Sequence, residues 1–221
     1  MSGVQLALDL GHRPSLNAGD FLVAPCNEAA VAWIDRWPAW PSAALVIHGP
    51  EGCGKSHLVD VWRRRSGARL LEGPAIGAGP RLVGGEDRAV ALEGVDRVAD
   101  EEGLLHLFNQ VVAHGGSLLF AARSPPAHWA IALPDLRSRL VGAPAVAIAA
   151  PDDDLLAAVL AKQFRDRQLR VGEDVLGYLV PRMERSFAAA GRLVEALDRA
   201  ALAERRAITV ALARQVLGQA A

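Results

Sequence analysis

Cysteine is nearly missing from this chain. Its two residues, Cys26 and Cys53, stand far apart and outside any C-x-x-C spacing, which excludes a disulfide framework and gives no support to a zinc site. A reducing compartment fits, and the expected location is the cytoplasm. Charge of one sign is missing too: 24 Lys and Arg against 25 Asp and Glu leave a net charge of −1. Nucleic-acid affinity grows with clustered positive charge and the counterions it releases, so a strongly basic DNA binder is excluded. Contact with DNA is expected to be local or made through a partner. Long hydrophobic runs are absent as well. The longest, such as residues 143–150, fall far short of the ~20 residues that a membrane span needs. The N-terminus lacks a basic stretch followed by an apolar one, so neither a leader nor a membrane anchor is expected. There is no internal repeat, heptad run or low-complexity linker. What the chain does have is apolar content, 51% hydrophobic with a mean hydropathy of +0.17, enough for one large domain or two small ones.

Three segments follow from the pattern. Residues 1–13 are a short tail ending in Gly11, His12 and Arg13 before Pro14. Over residues 14–150, short β-rich runs alternate with helical stretches. The runs are Phe21 to Ala24, Ala44 to His48, Arg69 to Leu71, Ala89 to Leu92, Ser117 to Ala122 and Ala145 to Ala149. The helical stretches are Asn27 to Trp37, Lys55 to Arg65 and Asp100 to His114, the first capped by the Asn27 side chain. This alternation predicts an α/β domain with a parallel sheet covered by helices. Residues 151–221 hold no β-rich run. Asp152, Asp153 and Asp154 open a helix with Leu155, Leu156, Val159, Leu160 and Phe164 at helical spacing. Further helices are expected at Asp174 to Pro181, Glu184 to Arg205 and Thr209 to Leu217.

The most specific feature is Gly49-Pro50-Glu51-Gly52-Cys53-Gly54-Lys55-Ser56, which fits G-x-x-x-x-G-K-[ST] at every fixed position. The apolar run Leu45-Val46-Ile47 leads into it and a helical pattern leads out. In such a loop the glycines let backbone N–H groups converge on phosphate oxygens, Lys55 reaches the outer phosphates and Ser56 ligates magnesium. The expected ligand is ADP or ATP with magnesium, and His57 adjoins the site. Cys53 sits near a helix N-terminus, which favours a thiolate, yet no base or resolving cysteine accompanies it. A strand ending in an acidic residue should supply the second magnesium ligand, and Arg88-Ala89-Val90-Ala91-Leu92-Glu93 does so with Glu93. Hydrolytic relatives carry a second acid next, worth roughly 10²–10⁴ in rate as a positioned base. Here that residue is Gly94, with Asp96 two positions on, so intrinsic ATPase activity is expected to be weak or absent. His12, His48, His57, His106, His114 and His128 show no metal spacing and read as structural or solvated.

The order of these elements resembles the branch of the AAA+ family occupied by the replication initiator DnaA and its shorter homologue Hda. Asp20 to Ala30 is similar to the family's approach to the adenine pocket, and the phosphate loop follows at family spacing. Ala121-Ala122-Arg123-Ser124-Pro125-Pro126 is similar to its strand-end Pro-Pro turn, and Leu133 to Leu140 to its arginine-finger segment. The resemblance implies an AAA+ P-loop domain with a helical lid, in which Arg139 reaches into a neighbouring molecule's nucleotide site. Two departures stand out. The strand before Pro125 ends in Ala121, Ala122 and Arg123 where relatives carry a polar sensor. The second sensor arginine would fall near Ala188, leaving Arg185, one turn earlier, as the nucleotide-binding candidate and Arg192 as the alternative.

The tail adds a further likeness. Gln5-Leu6-Ala7-Leu8-Asp9-Leu10 resembles the motif by which bacterial proteins dock on the DNA polymerase III sliding clamp, Gln5 through its amide and Leu6, Leu8 and Leu10 through apolar contacts. A DnaA-type helix-turn-helix domain is not expected, because the last helix begins near Thr209 and the sequence stops at Ala221. Arg63, Arg64 and Arg65 are expected to be a solvated helix end. The resemblance implies a clamp-docked negative regulator of replication initiation that stimulates ATP hydrolysis by DnaA through Arg139 and touches DNA only through the clamp, with a homodimer as one assembly it allows. An adaptor that recruits DnaA without stimulating it, and a self-contained AAA+ ATPase, are the alternatives.

Overall fold

The computed structural model describes residues 22–73 and 88–220. They divide into two compact units: one built from the chain up to His48 and from Ser56–Ala147, the other from Gly49–Lys55 together with Ile148 onward.

In the first unit, α1 (Glu28–Arg36), β1 (Ala44–His48), α2 (Lys55–Ser66), β2 (Arg69–Glu72), β3 (Ala89–Glu93), α3 (Glu101–Ala113), β4 (Ser117–Ala122), α4 (Pro134–Gly142) and β5 (Ala145–Ala147) follow one another in the chain. The strands form a five-stranded parallel sheet in the order β2-β3-β4-β1-β5. β1, β3 and β4 lie centrally and are buried almost throughout, because helices cover both faces of a parallel sheet and force its inner strands into continuous apolar runs. β2, at the edge, leaves three of its four residues exposed. The core joins Val46, Leu92, Leu118 and Phe120 of the sheet to Leu104, Leu107 and Phe108 of α3 and to Leu136 and Leu140 of α4. Each such side chain, when fully buried, contributes about 1.5–3 kcal/mol.

In the second unit, α5 (Asp153–Asp166), α6 (Glu173–Leu179), α7 (Phe187–Glu204) and α8 (Val210–Ala220) enclose their own core, with Leu160, Phe164, Leu179, Val194, Leu197 and Leu212 among its fully buried members. Asp152 caps α5 by accepting the Leu155 N–H at 2.8 Å, and Asp153 and Asp154 complement the positive end of the helix.

Several expectations need correction. Leu22 to Ala24 is not a strand, and Phe21 lies outside the described residues. The Asn27 Oδ1 accepts the Ala24 N–H at 2.9 Å, its Nδ2 donates to the Leu22 carbonyl at 3.0 Å, and Ala24 O accepts from both Asn27 N and Glu28 N. The segment therefore curls into the start of α1, and the buried Asn27 side chain binds backward instead of capping the helix. β5 ends at Ala147. α7 begins at Phe187, three residues later than the periodicity predicts, since Ser186 takes the cap and accepts the Ala189 N–H at 3.1 Å. α4 is an element that the β-run and helix pattern did not separate.

Candidate nucleotide site and arginine helix

The phosphate loop connects β1 to α2, whose first turn carries no acidic residue, so its N–H groups and positive end are left for an anion. The glycines of the loop are sterically required. A Cβ on Gly49 would lie 2.1 Å from the Ile148 carbonyl oxygen, and one on Gly52, where φ is +73°, would lie 2.6 Å from the Ser186 Cβ. The Gly52 carbonyl accepts the Phe187 N–H at 2.8 Å, tying the loop to the start of α7. Lys55 curls over the loop: its Nζ donates to the carbonyls of Gly49 at 2.8 Å and Pro50 at 2.6 Å and stands 3.7 Å from the Cys53 Sγ. Gly54 completes the turn before Lys55.

Cys53 is 2% exposed. Burial pushes its thiol above the usual range, opposed by the charge and hydrogen bonds of Lys55. The expectation of a favoured thiolate is therefore reversed, because desolvation outweighs the helix N-terminus and the lysine.

Ser56 donates its hydroxyl to the Glu93 Oε2 at 2.9 Å. The two sequence candidates for magnesium thus stand together, Ser56 at the start of α2 and Glu93 at the end of β3, in register with Ala121 of β4. A hydroxyl and a carboxylate oxygen are hard donors of the kind magnesium takes, and magnesium uses only one or two protein groups beside substrate phosphates. No group of three or more metal-binding side chains occurs among the described residues. His57 is exposed in the first turn of α2. Beyond Glu93, Gly94 donates its N–H to the Ala121 carbonyl at 2.9 Å. Asp96 accepts the Arg123 N–H through Oδ2 at 3.2 Å, and its Oδ1 is buried without a partner. That carboxylate secures the end of β4, and the sequence alone did not distinguish this role from a catalytic one.

Arg185 pairs with Asp153 at 2.9 Å and Arg192 with Glu184 at 3.3 Å, while Ala188 meets the space above Gly52 with a methyl group. On α4, Arg139 forms a two-point ion pair with Asp135, Nε to Oδ1 at 3.0 Å and Nη2 to Oδ2 at 3.3 Å. Its guanidinium carbon lies 5.6 Å from the centroid of the Phe108 ring. Glu101 of α3 accepts the backbone N–H groups of Ala132 and Leu133 just ahead of α4, the latter at 2.7 Å. Sequence reasoning missed Asp135, Glu101 and Ser186; only Ser186 carried a readable signal, as a capping residue before an apolar helix. Gln5, Leu6, Leu8 and Leu10 lie outside the described residues.

The fold now has parallels. Domain III of the Thermotoga maritima replication initiation protein DnaA matches with a TM-score of 0.75 at 16% identity, over 94% of this chain and 97% of that one. AMPPCP-bound DnaA from Aquifex aeolicus matches at 0.66 and 16% identity, over 83% of this chain and 66% of that one. The Thermotoga maritima RuvB branch migration motor matches at 0.67 and 13% identity, over 87% and 67%. The parallel sheet, its flanking helices and the helical second unit make the AAA+ fold that these DnaA and RuvB structures share. Over the second unit, residues 152–217 match the family model described as the Hda lid domain. Among the described residues no helix is long and apolar enough to cross a membrane.

Proposed function

We propose that this chain is a negative regulator of replication initiation that docks on the sliding clamp and stimulates ATP hydrolysis by DnaA. The observation that carries the reading is an Hda-type lid at residues 152–217 in a chain with the fold of DnaA domain III. In this reading the phosphate loop, with Gly49, Gly52, Cys53, Gly54, Lys55, Ser56 and His57, holds ADP or ATP, and Arg185 approaches it from the lid. Ser56 and Glu93 hold magnesium, which when bound neutralises phosphate charge. The chain's own turnover is weak, because Gly94 replaces the second acid and the Asp96 carboxylate is engaged with the Arg123 backbone. Arg139 then acts on a nucleotide held by DnaA, where an arginine supplied in trans is worth about 10³–10⁵ in rate. Gln5, Leu6, Leu8 and Leu10 attach the chain to the clamp, so that DNA is contacted through it and the effect is confined to replicating DNA. The site of action is the cytoplasm, at the replisome.

An adaptor that recruits DnaA without stimulating it is the second reading, favoured by one observation, the Arg139–Asp135 ion pair. ATP turnover by the chain alone, with DnaA, and with DnaA plus DNA-loaded clamp separates the readings. The regulator gives a large increase only in the last mixture, the adaptor gives none, and a self-contained ATPase turns over alone.

A further inference from the structure

Resting on the regulator reading, we propose that Asp135 is a positioning residue for Arg139, fixing the edge of the guanidinium that α4 offers to a bound partner. A guanidinium is a planar fork with five N–H donors. Asp135 engages it side-on through Nε and Nη2. That leaves the Nη1, Nη2 edge directed away from the carboxylate, and this edge can make paired hydrogen bonds to phosphate oxygens. The Phe108 ring, 6% exposed and held in the core, lies within cation–π reach of the guanidinium, its centroid 5.6 Å from the guanidinium carbon. Asp135 holds the guanidinium by two of its nitrogens and so fixes how it is turned.

The helix beneath is anchored as well. Leu133 caps α4 with a side chain that has no acceptor, and Glu101 supplies a carboxylate from α3 to the N–H groups of Ala132 and Leu133. Leu136 and Leu140 bury the inner face of α4 completely. Arg137 lies about 200° around the same helix, exposed and away from Phe108. With side chains 36% and 59% exposed, the Arg139–Asp135 pair adds little to stability. Its consequence is orientation: an arginine already held in one geometry loses less rotamer freedom when it engages a phosphate.

The test uses the full chain, titrated into the partner ATPase with DNA-loaded clamp, and reads both the plateau of stimulated hydrolysis and the half-saturating concentration. Asp135→Ala is expected to lower the plateau roughly tenfold, as misplacement of a catalytic group does, with half-saturation and melting temperature unchanged. Asp135→Glu, able to form the same pair one turn apart, is expected to restore the plateau. If Arg139→Ala abolishes stimulation while Asp135→Ala matches or exceeds the wild-type plateau, the positioning role is wrong although the finger stands. If Arg139→Ala stimulates normally, the regulator reading fails, and the proposal falls with it.

Discussion

The backbone N–H of Phe187 donates to the carbonyl of Gly52 at 2.8 Å, so the first turn of α7 is fastened to the middle of the phosphate loop. Ser186, 2% exposed, packs where a side chain at position 52 would stand. Gly52→Ala therefore meets both a left-handed backbone angle and a steric conflict. It is expected to weaken nucleotide binding at least tenfold and to cost about 1–3 kcal/mol of stability, the range for a strained or overpacked site. Calorimetric titration with ADP and a thermal melt check both; wild-type values in both would show that the loop and α7 are not coupled in this way.

Lys55 donates to two carbonyls of its own loop. A charge-assisted hydrogen bond is worth about 1.5–3 kcal/mol, so Lys55→Ala is expected to reduce ADP and ATP affinity at least tenfold. Unchanged affinity by calorimetry would remove the phosphate-loop assignment.

Burial raises the Cys53 thiol above its ordinary value, so the folded chain holds its proton to higher pH than the unfolded chain, whose thiol titrates at that ordinary value. The sign follows from linkage: stability from the neutral thiol is fully present below that value and is lost as pH climbs toward the raised folded value. Urea unfolding from pH 7 to 10 is expected to show a steeper alkaline loss for wild type than for Cys53→Ala. Parallel curves would mean that the thiol titrates alike in both states.

The alternation of strands and helices, the phosphate loop and the all-helical second unit follow from signals that act locally: apolar runs bounded by turns, glycine spacing, aspartate caps and helical periodicity. The Ser56–Glu93 contact was legible too, since both residues belong to patterned strand-loop-helix segments. Other features depend on neighbours distant in sequence. Asn27 reads as a cap but turns backward to Ala24 and Leu22. Asp96 can be read as a stand-in catalytic acid until its bond to Arg123 is seen. Asp135 looks like an ordinary first-turn acid of a short helix, and only the position of Phe108 gives its pairing with Arg139 a meaning.

Tethering to the clamp is expected to depend on the tail. Replacing Gln5, Leu6, Leu8 and Leu10 together with alanine should abolish co-elution with the sliding clamp while leaving the melting temperature and ADP affinity unchanged, because a linear motif binds through a few directional and apolar contacts. A variant that still binds with wild-type concentration dependence would place the docking surface elsewhere.

The most direct test of the account is the rate of DnaA ATP hydrolysis in the presence of DNA-loaded clamp and Arg139→Ala, with Arg137→Ala beside it. A guanidinium presented to the γ-phosphate of another molecule offsets charge that develops there, and its removal spares every step before that contact. Arg139→Ala is expected to bind nucleotide and clamp as wild type does, yet to leave DnaA hydrolysing at the rate seen without this chain. Arg137→Ala is expected to retain most of the stimulation. Hydrolysis stimulated to the wild-type level by Arg139→Ala would contradict the account and favour the adaptor.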